Sequence, residues 1–126
     1  MNAEPYVDGF VIPVPKANLE AYKKMAATAA VVWKEYGALD YKECVLDDAR
    51  IENVRSFLDL AGAKDDETVI FSYIVYRSRE HRDEVNAKVM ADPRIKEFCP
   101  ESNPNAVMPF DFTKMAYGGF QTIVSA

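Results

Sequence analysis

The chain has 126 residues, a net charge of −5 and a pI near 4.9, with 49% hydrophobic and 28% charged residues. That balance fits a single soluble domain over residues 1–126, large enough to bury roughly two-thirds of the surface its unfolded form exposes. It argues against nucleic-acid binding, which calls for a positive face against phosphate, and no stretch approaches the roughly 20 apolar residues of a membrane span.

The N-terminal Met1-Asn-Ala-Glu-Pro5 lacks the basic segment and apolar run of a secretion signal, so a cytoplasmic protein is expected. Tyr6-Val-Asp-Gly-Phe-Val-Ile-Pro-Val14 is the first strand. Tyr6, Asp8, Phe10 and Ile12 share one face, and Val7, Gly9 and Val11 the other. Asp8 is the only charge in this run, and a carboxylate among apolar neighbours costs free energy unless it is exposed or hydrogen-bonded. Pro13 and Pro15 end the strand, and Asn18 is placed to cap a long helix that Gly37 stops. Leu19, Tyr22, Ala26, Ala29 and Trp33 form one apolar stripe on it, with Met25, Val32 and Tyr36 beside them.

Leu39–Leu46 reads as a second strand, and the charges Asp40 and Lys42 mark it as an edge. A connection of about 20 residues follows, too long to lack structure in a compact domain, so a short helix is expected over Val54–Ala61 before Gly62. Thr68–Tyr76 is apolar on both alternating faces, the mark of a strand covered on both sides. Ser78 caps the next helix, and Asp92-Pro93 interrupts it and begins another helical turn. Cys99–Asp111, with Pro100, Pro104 and Pro109, is a long irregular loop. Lys114–Val124 is the last strand, with Gly118-Gly119 signalling a bulge or a close approach by another group.

Strand, helix, strand, strand, helix, strand, with the first and third strands most apolar, predicts an α+β fold on the ferredoxin-like split βαβ plan (βαββαβ). The antiparallel sheet takes the order 4-1-3-2, with the helices on one face. The other face is too apolar to stay in water, so a homodimer joined through the sheets is expected.

Several blocks carry a resemblance. The first strand, Lys34-Glu-Tyr-Gly-Ala-Leu39, Val69-Ile-Phe-Ser72, Asp92-Pro-Arg94, Met108-Pro-Phe-Asp111 and Tyr117-Gly-Gly-Phe120 are similar to the YbaA-like bacterial proteins of unknown function, over about Tyr6 to Val124. The resemblance implies a ferredoxin-like subunit in a dimeric α/β barrel, and it implies no activity.

Candidates for chemistry are few. His81, the only histidine, falls on the inward stripe of its helix, and an unperturbed pKa of about 6.5 would suit acid–base work. Asp8, Glu43 and Asp111 are the carboxylates closest to apolar surroundings. Trp33, Tyr73, Tyr117 and Phe120, with Asp111, are expected to line a ligand pocket between sheet and helix, and Met108–Asp111 to lie across it as a lid. Cys44 and Cys99 fit neither a metal nor a redox spacing, so no metal site, cofactor or disulfide is expected. Two functions fit: a module binding a small, partly apolar molecule, or a small cofactor-independent enzyme, oxygenase- or isomerase-like, using His81 or a buried carboxylate such as Asp8.

Overall fold

The computed structural model describes residues 4–126, so Met1-Asn2-Ala3 of the segment read for a secretion signal lies outside the described residues. Its spine is β1 (Tyr6–Pro15), paired antiparallel with β3 (Glu67–Tyr76) on one side and β4 (Ala116–Gln121) on the other. β2 (Asp40–Val45) completes the sheet against β3, giving the order β2-β3-β1-β4. This is the expected ferredoxin-like plan, with the charged strand β2 and the glycine-bearing strand β4 at the edges.

Helix α1 (Leu19–Glu35) lies on one face and buries Tyr22, Ala26, Ala29 and Val32. Small alanines let it approach the strands closely, beneath the side chains of Ile12, Val14, Ile70 and Ile74. On the same side, α3 (Arg79–Met90) buries His81, Val85 and Val89, and the single turn α4 (Pro93–Lys96) buries Ile95. Ser78 caps α3 by accepting from His81 N–H at 3.1 Å, and Asp92 caps α4 by accepting from Arg94 N–H at 2.8 Å.

Four local expectations shift. β1 ends at Pro15, as expected, but Pro13 lies inside it: β4 pairs with β1 only as far as Val11, so the prolines sit where that flank of the strand needs no N–H donor. Asn18 stands at the start of α1 without capping it; its Nδ2 donates instead to Pro109 O at 3.0 Å, and Lys16–Asn18 form a 3-10 turn. The short helix α2 spans Phe57–Ala61, because Ser56 supplies the cap, and it ends at Gly62, whose φ is 63°.

The last strand is Ala116–Gln121 rather than Lys114–Val124, because β1 begins at Tyr6, opposite Gln121. Ile123 and Val124 run past it, exposed, and Phe112–Lys114 form a 3-10 turn. The register through Gly118 and Gly119 is continuous, so the glycine pair is not a bulge. Close approach explains Gly119, where a Cβ would come within 2.8 Å of Tyr6 Cε2.

The sheet's second face carries Phe71, Tyr73 and Phe120, with Phe71 and Tyr73 rings 6.2 Å apart. α2 covers part of it through Phe57, whose ring meets Phe71 edge-on at 6.3 Å. Phe71 and Phe120 remain exposed.

Candidate functional site

Alternation along β1 turns Asp8, Phe10 and Ile12 toward the helices, and pairing aligns them with Ile74, Ser72 and Ile70 of β3. Two rows cross the sheet here: Tyr41–Ile74–Asp8–Gly119 and Glu43–Ser72–Phe10–Tyr117. Each row carries one carboxylate, and the structure satisfies the two differently.

Asp8 is buried, and its Oδ1 accepts from Arg82 at 2.7 Å, from the first turns of α3. The same guanidinium nitrogen donates to Tyr117 OH at 3.0 Å, and the guanidinium lies 5.1 Å from the centre of the Tyr6 ring. The charge of β1 is therefore met by an ion pair, as a buried carboxylate requires. Burial, and then the Asp8 charge, push the phenols of Tyr76 and Tyr117 up, so both stay protonated donors at neutral pH.

Glu43 is met by neutral groups. Tyr22 OH donates to one carboxylate oxygen and Tyr41 OH to the other, each at 2.7 Å. Burial first, and then the Glu43 charge, raise both phenols well above the usual range. Between the carboxylates, Trp33 Nε1 donates to Tyr76 OH and Asn86 Oδ1 at 3.1 Å each, and Tyr76 OH donates to Asn86 Oδ1 at 3.1 Å. Among the described residues no buried side-chain polar atom lacks a partner, so these groups are held in place before any ligand arrives.

Above this floor is a cavity of about 350 Å³. Tyr22, Met25, Ala29 and Trp33 of α1 form one wall, and Asn86, Met90, Ile95 and Phe98 another. The roof comes from the segment after α4: Met108, Phe110, Phe112 and Met115 all line the space. Of the Met108–Asp111 stretch, Met108 and Phe110 line the space, and Phe110 is buried and meets Tyr22 edge-on at 5.7 Å.

The expected site residues divide. Asp8, Trp33 and Tyr117 line the cavity, and Tyr117 stacks on Phe10 at 4.9 Å. Tyr73 and Phe120 lie on the opposite face of the sheet, Phe120 leaning over Gly9 so that a Cβ there would meet its ring at 3.1 Å. Asp111 is exposed and caps the 3-10 turn, accepting from Thr113 N at 3.0 Å and Thr113 Oγ1 at 2.6 Å.

His81 is buried outside the cavity lining, between Tyr76 and Gly37, and its Nδ1 accepts from Arg77 N–H at 3.0 Å. Burial, then the Arg77 charge, hold its pKa below the ordinary value. Arg82, Asn86, Met90 and Cys99 complete the site or its support without having been expected there. Among the described residues no group of three or more His, Cys, Asp or Glu is placed to hold a metal ion, and no helix is long and apolar enough to cross a membrane.

An antiparallel sheet in this order, with its helices on one face and a cavity between, defines a ferredoxin-like α+β protein. Two solved structures share the fold. A dimeric ferredoxin-like protein from an uncultured marine organism superposes with a TM-score of 0.58 at 13% identity, covering 98% of this chain and 100% of that one. A mutant of SnoaB, a cofactor-independent oxygenase from Streptomyces nogalater, gives 0.54 at 13% identity, with 98% and 97% covered.

Sequence places the chain more narrowly. It belongs to the family described as "Protein of unknown function (DUF1428)", which matches residues 5–112. The uncharacterized protein YbaA of Escherichia coli is 46% identical over 119 residues, 94% of this chain and 97% of the relative, and the Shigella flexneri protein matches equally. The YbaA-like resemblance carried by the strand and turn blocks is therefore real family membership.

Proposed function

We propose that this protein is a homodimer that binds a small, largely apolar molecule in the cavity between sheet and α1. The cavity itself carries the reading: about 350 Å³, at the small end of ligand sites, walled by aromatic and methionine side chains, with a few fixed polar groups. Methionines and a loop roof suit a pocket that adapts to its occupant. The exposed Phe71 and Phe120 beside Tyr73 support the dimer, since pairing these faces removes them from water, and about 800 Å² per partner is enough for a stable interface. The unpaired Cys44 and Cys99 suit a reducing cytoplasm.

A catalytic reading is favoured by one observation, the buried Asp8 carboxylate at the cavity floor beside the Tyr117 phenol. On that reading Asp8 takes a proton from a bound substrate, and the bond from Arg82 holds the carboxylate in place. The shared fold with an oxygenase adds only an analogy. His81 lies outside the lining, so the reading rests on Asp8.

Native mass spectrometry of the protein as purified tests the binding reading, with twice 14.2 kDa plus a discrete small adduct as the expected species. A Met25→Trp variant, which fills the cavity, should lose the adduct and keep the dimer. An adduct that survives Met25→Trp would place the ligand elsewhere.

A further inference from the structure

The two carboxylates of the cavity differ in a way that specifies the ligand. Asp8 is neutralised by Arg82 at 2.7 Å. Glu43 has phenols as its partners, and among the described residues no ion pair includes it: Lys42, its neighbour on β2, reaches Asp40 at 2.6 Å instead. An ionised carboxylate has about four lone-pair positions, and the phenols of Tyr22 and Tyr41 take two. No lysine or arginine side chain lines this cavity; Lys23 and Lys42 stand in the groove on the other side of Glu43, where neither pairs with it. A charge at the edge of an apolar space, with acceptor capacity left over, attracts a donor and repels an anion.

The walls around it favour a cation as well. Trp33 and Tyr41 present rings 6.0 Å apart and inclined at 45°, and Tyr41 is itself bonded to Glu43. Aromatic faces beside a carboxylate are the surroundings in which an organic ammonium replaces its lost water. Met25 and Met90 supply polarizable surface for its apolar body.

We propose that the cavity takes a hydrophobic amine, whose ammonium group sits between Glu43 and the Trp33–Tyr41 rings while its apolar part lies under Met108 and Phe110. This rests on the reading of the cavity as a binding site and names the ligand class it selects.

Calorimetric titration with three indoles of matched size tests it: tryptamine (cationic), tryptophol (neutral) and indoleacetate (anionic). An ammonium paired with the carboxylate, in place of an uncharged O–H donor, predicts tryptamine binding roughly tenfold tighter than tryptophol, with indoleacetate weakest. Glu43→Gln keeps an acceptor for the phenols and should bring tryptamine down to the tryptophol level. Tyr41→Phe keeps the ring and frees a lone pair on Glu43, so it should tighten tryptamine several-fold and tryptophol less, widening the gap between them, which keeps the test open if Glu43→Gln misfolds. Tryptophol or indoleacetate binding as well as tryptamine, or tryptamine indifferent to both substitutions, overturns the amine assignment and leaves the cavity as a binding site. Failure of all three compounds to bind also overturns the amine assignment, while the binding reading itself stands or falls with the adduct and its loss in Met25→Trp.

Discussion

Replacing Arg82 by methionine isolates the energetics of the cavity floor. Methionine keeps most of the apolar stem and removes the guanidinium that stands over the Tyr6 ring. The pair with Asp83 is exposed on its acidic side, so losing it costs about 0–1 kcal/mol. The pair with Asp8 is different: the carboxylate side chain is 1% exposed and the arginine 13%. Stripping one partner from a buried pair leaves an uncompensated charge and costs about 3–5 kcal/mol, and the residual access of water to Arg82 points to about 3.

In urea, with a slope of about 1.5 kcal/mol/M for a chain of this size, the midpoint should fall by about 2 M. In a thermal melt it should fall by about 10 °C. Asp8→Asn added to Arg82→Met removes the stranded charge, and the double variant should recover more than half of the loss. A single variant within about 1 kcal/mol of the parent, or a double variant no more stable than Arg82→Met, would refute the account of Asp8 as a buried charge that depends on Arg82.

Gly119→Ala drives a Cβ into the Tyr6 ring and should cost about 1–3 kcal/mol in denaturant titration, whereas Gly118→Ala, with its nearest atom 3.7 Å away, should stay within about 0.5 kcal/mol of the parent. His81 has a folded pKa below its unfolded value, so protonation favours the unfolded chain: its contribution is fully present above about pH 6.5 and is lost as pH falls toward the depressed folded pKa. Stability measured at stepped pH values should show this decline in the parent and not in His81→Gln, since protonating Nδ1 also breaks its bond to Arg77 N–H. Phe71→Lys with Phe120→Asp should convert a dimer to a folded monomer in sizing with light scattering; a dimer of unchanged affinity would move the interface off the open sheet face.

The order of strands was legible because β1 and β3 are apolar on both faces while β2 carries charge, a contrast that only central and edge positions produce. Asp8 was legible for a related reason, as a lone carboxylate in an apolar run. Its partner was not: Arg82 lies 74 positions away and reads as one more charge in a polar helix start. Tyr73 and Phe120 were assigned to the wrong face because both faces of β3 are apolar, and the glycine pair removes the alternation that would phase β4. Pairing with β1 settles both, and pairing is not a local property of sequence. His81 was read correctly as inward, but at the start of α3 inward means toward Gly37 and Tyr76, not toward the space under α1. The phenols on Glu43 come from α1 and from two residues along β2, so only the packed helix brings the first of them into reach.

The tie between Asn18 and the Pro109 carbonyl, with Phe110 wedged against Tyr22, has a kinetic consequence. For the proposed ligand under Met108 and Phe110, release limited by the lifting of this segment would be set by the segment's own contacts rather than the ligand's. Residence times of chemically different occupants then converge on one opening rate, and differences in affinity move into the association step. That reverses the usual pattern, in which related complexes differ mostly in how fast they come apart.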